Sequence, residues 1–433
     1  MKTLKRILKY FVITLFAIIL WVVVIVSGTM NGWWHKPITN IDSIEAYVDA
    51  TKNEINTQFV GNFAMATFSN GTLETEEFHS KGKPVDRNTV FQVASLSKWV
   101  SAVGVMKLVE EGKLNLDVPV SKYLTRWQLP ESEFDNNKVT VRSLLSHTAG
   151  LTDGLGYSGF ESVDKKQTLE ASLTKASDAD NGISGAVKVG IEPGKFEYSG
   201  GGYTLLQLLI EEVTAKPFAS YMKEEIFEPL NMTQSSYVFD TSSGDNLAEF
   251  FNADGTKAKH YFYTSLAATS LYTSLSDLEI FFQVFLDGKK AEPIGINIIK
   301  PETLRSMREV HATTMGMDIW GLGTILYTNT DNGDYIFGHD GKSTPPINTA
   351  VRLNPETGDG IIVLETGNPI LATKLASEWV FWKTGKVDLT LFTILKNNMV
   401  SQAGKGILGI IILSILIAVV RQRRKLNKDK NHG

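Results

Sequence analysis

The chain has 433 residues, 43% hydrophobic and 21% charged, which is enough for one large domain or two small ones. Its formal net charge is −4 and it contains no Cys, which excludes thiolate metal sites, cysteine nucleophiles and disulfides and suits an extracytoplasmic protein. Residues 30–404 carry 32 Lys and Arg against 46 Asp and Glu, which disfavours nucleic-acid binding, because phosphate contacts need clustered cations.

In chain order, Lys2, Lys5, Arg6 and Lys9 precede an uncharged run, Tyr10 to Val26, of 17 residues. That is the lower limit for a membrane-spanning helix. A cleaved signal peptide is the competing reading. The run is long for one, and Val26-Ser27-Gly28 is a weak cleavage site, so residues 1–29 read as a basic start and an uncleaved anchor, with Trp33 and Trp34 at the interface. Spacing of Ile44, Val48 and Ile55 predicts a helix within 35–58, and Asn70-Gly71 predicts a β-hairpin between two short runs. A short strand over 88–94 leads into "ASLSK", and an amphipathic helix is expected from Ser95 to Glu111, with Leu96, Trp99, Val100, Val103, Met106 and Leu108 on its apolar side and Gly112 ending it.

Residues 139–232 read as mostly helical. The stretches "GLGTILY", "YIFGHDG", "NTAVRLNP" and "GDGIIVLET" read as strands, followed by one more helix, "NPILATKLASEWVFWKTGK". Strands from both ends of a domain assemble into one antiparallel sheet. The fold class expected is therefore α+β: an antiparallel β-sheet flanked by helices, beside an all-helical lobe, with the site in the cleft between them. Beyond the domain (30–387) come a linker (388–405), a second apolar run (406–420) and a basic tail (421–433). A buried helix is the bland reading of the second run, but it has no polar face and four basic residues in five follow it. Basic flanks on both runs put both termini in the cytoplasm and the domain outside, at the cell membrane.

A Ser with a Lys three residues on, facing each other across one helical turn, can make a nucleophile and its proton acceptor. The spacing occurs five times, at Ser80, Ser95, Ser162, Ser172 and Ser220. Only Ser95, with Lys98, follows a predicted strand and opens a long helix, where free N–H groups can stabilise an oxyanion. Ser80 falls in a Gly/Pro turn, Ser162 in a charged loop, Ser172 on a face expected to be solvated, and Ser220 on a surface helix.

The run "VFQVASLSKWVSAVGVMKLVEEGKLNLDVPVSKYL" resembles the active-site segment of the penicillin-recognising serine hydrolases: class C β-lactamases, DD-peptidases, D-aminopeptidases and related esterases. "VTVRSLLSHTAGL", "EPGKFEYSGGGYTLLQLLIEEVTAKPFASYM", "IFEPLNMTQSSY" and "FGHDGKS" follow in the family's order, so the resemblance spans residues 40–385. It implies a β-lactamase/transpeptidase-like fold and an acyl-enzyme on Ser95, with Lys98 and a motif Tyr handling protons. Two Tyr-Ser-Gly triplets compete for that Tyr, at Tyr157 and Tyr198. Tyr198 follows a Pro-Gly turn and precedes an amphipathic helix, as the family's does, whereas Tyr157 reads as a buried Tyr with a satisfied hydroxyl.

Gly200 stands where the family has an Asn that donates to a substrate amide, which leans the reading toward esters. His339-Asp340-Gly341 matches the third motif, with His in place of Lys as in some DD-peptidases and esterases. On a strand, His339 and Gly341 face one way and Asp340 and Lys342 the other. Gly341 is expected to let substrate lie against the strand, and the N–H of Lys342 to join that of Ser95 as an oxyanion hole. His147 reads as structural. No His pair has metal-ligand spacing and Gly-x-Ser-x-Gly is absent, so no metal or cofactor is expected. The implied substrates are D-alanyl peptides or esters of the cell envelope. A catalytically impaired binding module or sensor is the alternative, and an esterase or transacylase on lipid or polymer esters a third.

Overall fold

The computed structural model describes residues 2–154, 156–180, 184–239, 246–286, 295 and 298–430, with the side chains of 2–6 and 425–430 excepted. It falls into two units, residues 41–379 and the chain ends 1–40 with 380–433.

The larger unit is built on a sheet of eight strands among the described residues, in the order β2-β1-β10-β9-β8-β7-β6-β5, every neighbour antiparallel. The strands are β1 (Asn62–Ser69), β2 (Thr72–Ser80), β5 (Ala312–Thr314), β6 (Met317–Trp320), β7 (Ile325–Asn329), β8 (Tyr335–Ser343), β9 (Ile347–Leu353) and β10 (Gly360–Thr366). β3 (Phe91–Gln92) and β4 (Tyr272–Thr273) pair apart from it. The first hairpin turns at Asn70 and Gly71, both at positive φ, as an Asn-Gly turn requires.

The helices of this unit are α2 (Ile44–Gln58), α3 (Ser97–Glu110), α4 (Val141–Leu145), α5 (Leu169–Lys175), α6 (Gly200–Thr214), α7 (Phe218–Met222), α8 (Leu266–Thr269), α9 (Leu275–Gln283) and α10 (Pro301–Met307). α11 (Leu371–Thr384) begins here and crosses the division between the units. Thus the chain has the expected α+β architecture, an antiparallel sheet with helices. Residues 35–43 lie outside α2, whose N-cap is the Ser43 side chain accepting from the Ala46 N–H.

One continuous core joins Ala64, Phe68, Val351 and Leu364 of the sheet to Trp99 and Val103 of α3 and to Leu205, Leu208 and Phe227 of the helical part. α3 was expected to have one apolar side, but it is buried from Ser97 through Met106 on every face. The reason is its position: a helix enclosed between a sheet and a helical layer has no solvated face to keep polar. On the sheet's opposite face, the Tyr47 hydroxyl of α2 donates to the Leu375 carbonyl of α11 at 2.9 Å, and Arg352 reaches from β9 to Asp340 of β8 at 2.5 Å.

The chain-end unit pairs α1 (Lys2–Met30) with α12 (Leu389–Lys430). Two segments, Ile7–Met30 and Leu389–Arg424, are long and apolar enough to cross a membrane. Thr14 donates to Ser414 at 2.9 Å, the Trp21 indole to the Ala403 carbonyl at 3.3 Å, and Arg421 to the Tyr10 hydroxyl at 2.9 Å. Residues 388–405, read as a linker, are instead the start of α12: the Asp388 carboxylate caps it, accepting from the Leu391 N–H, and no proline interrupts it.

Candidate active site

Ser95 sits in a single 3₁₀ turn, Ala94–Leu96, between β3 and α3. Ala94 holds a positive φ of 48°, a costly conformation for a residue with a Cβ, and it aims the serine out of the strand. The turn is fastened on both sides. Ser97 Oγ donates to the Ala94 carbonyl at 2.5 Å and accepts from the Leu271 N–H at 2.9 Å, and Thr349 Oγ1 of β9 donates to the Val93 carbonyl at 2.9 Å.

Lys98, one turn on, is buried at 2% exposure, and its Nζ donates to Ser95 Oγ at 3.1 Å and to the Ala268 carbonyl at 2.7 Å. The Tyr198 hydroxyl, 103 residues away in the chain, donates to the same Oγ at 3.0 Å. Lys98 Nζ also lies 5.1 Å from the Tyr198 ring centre and 5.6 Å from that of Tyr203. Two side chains, Lys98 and Tyr198, therefore converge on the Ser95 oxygen. The other four Ser-x-x-Lys pairs do not build such a site. Ser172, expected to be solvated, is in fact on the buried side of α5 while Lys175 is exposed, because positions three apart on a helix do not always share one environment.

Tyr198 is positioned by the start of α6. Ser199 Oγ accepts from the Gly202 N–H at 2.8 Å as N-cap and donates to Asp153, and Asp153 accepts the Gly201 N–H at 2.6 Å. Burial pushes the Asp153 carboxyl upward in spite of these bonds. His147 is structural in its placement, although its bond is long-range: Nδ1 accepts from the Ser199 N–H at 3.1 Å, and its ring lies 4.4 Å from that of Tyr198. Burial first, then Lys98 and His339, hold His147 well below the usual histidine range, so its ring is neutral.

His339 is equally buried. Its Nδ1 lies 2.6 Å from the Asp340 carbonyl, and burial followed by Lys98 pushes its pKa down to about 3. A side chain at Gly341 would meet the Val93 carbonyl at 2.1 Å and the Leu96 N at 3.2 Å, so what lies against the strand here is the serine turn. Beyond Gly338, β8 has β9 on one side and no paired residue of β7 on the other. Lys342, Ser343 and Thr344 of that segment, together with Ser95, Lys98, Tyr157 and Gly200, line a cleft of about 390 Å³. Tyr157, read as a buried Tyr with a satisfied hydroxyl, has that hydroxyl 3.2 Å from Thr204 Oγ1 but is only half-buried and faces this cleft.

The family model for Beta-lactamase matches residues 57–376. The chain belongs to that family. Among its relatives are Protein flp of Staphylococcus aureus (strain MRSA252), 24% identical over 298 residues, and the putative penicillin-binding protein PbpX of Bacillus subtilis (strain 168), 28% identical over 205. These cover 66% and 46% of this chain, which in turn spans 54% and 47% of theirs, about half the length of each relative. Among solved structures, the octameric penicillin-binding protein homologue from Pyrococcus abyssi aligns with a TM-score of 0.64 at 24% identity, over 80% of this chain and 78% of its own. The β-lactamase/D-alanine carboxypeptidase from Pseudomonas syringae aligns at 0.60 and 17%, over 78% and 98%. At these identities the structures carry the fold alone.

Asp153, the Ala268 carbonyl and Trp320, whose ring lies 4.7 Å from His147 and 5.5 Å from His339, escaped the sequence reading. No spacing marks them, since each meets the site from a separate part of the chain.

Proposed function

We propose that this member of the beta-lactamase family is a membrane-anchored serine hydrolase that forms an acyl-enzyme on Ser95, outside the cytoplasmic membrane. One observation carries the reading: Ser95 Oγ is within hydrogen-bond reach of both a buried lysine and a tyrosine hydroxyl. Ser95 Oγ bonds to the acyl carbon of an ester or peptide. Its proton passes to the Lys98–Tyr198 pair and on to the leaving alcohol or amine. Water then bonds to the acyl carbon, gives its proton to the same pair, and Ser95 recovers its own as the acid departs. The N–H groups of Ser95 and Lys342 stabilise the oxyanion, and the side of β8 past Gly338, where the β7 pairing has ended, gives an extended acyl chain a backbone to lie along.

The substrates are D-alanyl peptides or esters of the cell envelope. The putative penicillin-binding protein PbpX among the chain's relatives supports this class. α1 and α12 span the membrane with both basic termini in the cytoplasm, leaving the hydrolase domain outside. The test is mass spectrometry of the full chain in detergent after a fluorophosphonate or β-lactam probe. An adduct on Ser95, absent from Ser95→Ala, is expected; a folded protein that stays unlabelled refutes the reading.

A further inference from the structure

The first residue of α6, two past Tyr198, has no side chain, and the space is not empty. A Cβ at Gly200 would lie 2.9 Å from Cε2 of Tyr157 and 3.5 Å from its Cδ2. The Tyr157 ring thus rests where a side chain from the helix start would otherwise reach toward the cleft.

The ring is held there. Its hydroxyl is 3.2 Å from Thr204 Oγ1, one turn along α6, and that oxygen is bonded in turn to Ser265 Oγ. Its loop is tied down by the Ser158 N–H donating to the Asp178 carbonyl at 2.6 Å and by a bridge between Tyr157 and Ala179. Gly159 follows at a φ of +75°, where an added Cβ would strike the Tyr263 ring at 2.9 Å. Burial raises the phenol well above its usual range, so it stays neutral. Gly156, Tyr157, Ser158 and Gly200 line the same cleft as Ser95 and Lys98.

We infer that the Tyr157–Gly200 pair sets the acyl selectivity of the Ser95 site, an inference that rests on the hydrolase reading above. At this wall the helix start offers no side-chain donor, the hydroxyl of Tyr157 faces Thr204, and that of Ser158 donates to Asp180 at 3.2 Å. An acyl group whose near carbons are plain hydrocarbon loses nothing against the ring and gains contact with it. An acyl group that carries a peptide unit there gives up its water at this wall and finds no side-chain donor to replace it. Of the two substrate classes proposed above, the site therefore favours the esters: it takes short, unsubstituted acyl esters in preference to D-alanyl peptides and other N-acylated aminoacyl donors.

The full chain in detergent is assayed with p-nitrophenyl butyrate and the p-nitrophenyl ester of N-acetyl-D-alanine, which share a leaving group. Wild type is expected to favour butyrate in kcat/KM by roughly 10- to 100-fold. Tyr157→Phe keeps that ratio. Tyr157→Ala lowers it, and Tyr157→Ala with Gly200→Asn, which opens the space and fills it with a donor, lowers it at least tenfold. Gly200→Asn alone loses turnover of both esters, because ring and side chain compete for one volume. Thermal melts of each variant separate misfolding from selectivity. A wild-type ratio near one, or a double variant that turns over ester with the wild-type ratio, overturns the inference. Ser95→Ala distinguishes the two levels: turnover that survives it refutes the hydrolase reading, whereas turnover that vanishes with it while the ratio ignores Tyr157 refutes this inference alone.

Discussion

Gly341→Ala tests how the serine turn is held. The substitution adds one methyl to β8, and the geometry leaves it nowhere to go: 2.1 Å from the Val93 carbonyl and 2.4 Å from Thr349 Oγ1, two atoms that are themselves bonded to each other. Ordinary contact begins at 3.4 Å, so the turn and the strand must part by about 1 Å. Overpacking of this kind costs about 1–3 kcal/mol, which lowers the melting temperature by roughly 2–10 °C in a domain of this size. The larger effect falls on chemistry. Ser95 rides on the turn two residues past Val93, and a 1 Å misplacement of a nucleophile costs about 10²-fold. Thermal melts and ester kcat/KM on the full chain in detergent read both. Gly404→Ala, where a Cβ meets nothing within 4 Å, is the control that should leave turnover unchanged. A Gly341→Ala protein with wild-type melting and turnover would refute the argument that this glycine exists to seat the serine turn.

Two further outcomes follow from the site. Tyr198→Phe removes only the hydroxyl 3.0 Å from Ser95 Oγ, and Lys98→Met removes the amine 3.1 Å from it at similar volume. Each should slow acylation by about 10²–10⁴-fold in single-turnover measurements, and acylation at the wild-type rate in either variant excludes that residue from proton transfer. His339, at about 3 in the fold against 6.5 unperturbed, stays neutral where the unfolded chain binds a proton. Its contribution to stability is complete above pH 6.5 and is lost as pH falls toward 3, at about 1.4 kcal/mol per pH unit. Urea midpoints of His339→Gln should therefore fall less between about pH 6 and pH 4 than those of wild type, and parallel curves would contradict a buried neutral ring.

Much of this was legible before any fold was known. Local pattern marks the apolar ends, the Asn70-Gly71 hairpin and the C-terminal strands, because each depends only on neighbours in the chain. Strand-to-helix context singled out Ser95 and Lys98 among five equal spacings, and a preceding Pro-Gly turn and a following amphipathic helix led to Tyr198 over Tyr157. Burial was harder to read. The all-round enclosure of α3 and the burial of Ser172 depend on what packs against them, and a helix carries no record of its surroundings beyond its own periodicity.

What the sequence determined by itself was therefore the class of fold and the identity of Ser95's neighbours, since both rest on short-range spacing and on order along the chain. Only the tertiary structure decided what surrounds them. It set the Tyr157 ring on Gly200, closed the serine turn onto Gly341, and brought Asp153, His147 and Trp320 to the base of Tyr198. These are contacts between residues tens to hundreds of positions apart. They exist because a sheet assembled from both ends of the domain brings distant segments to one cleft, and no local pattern carries that geometry.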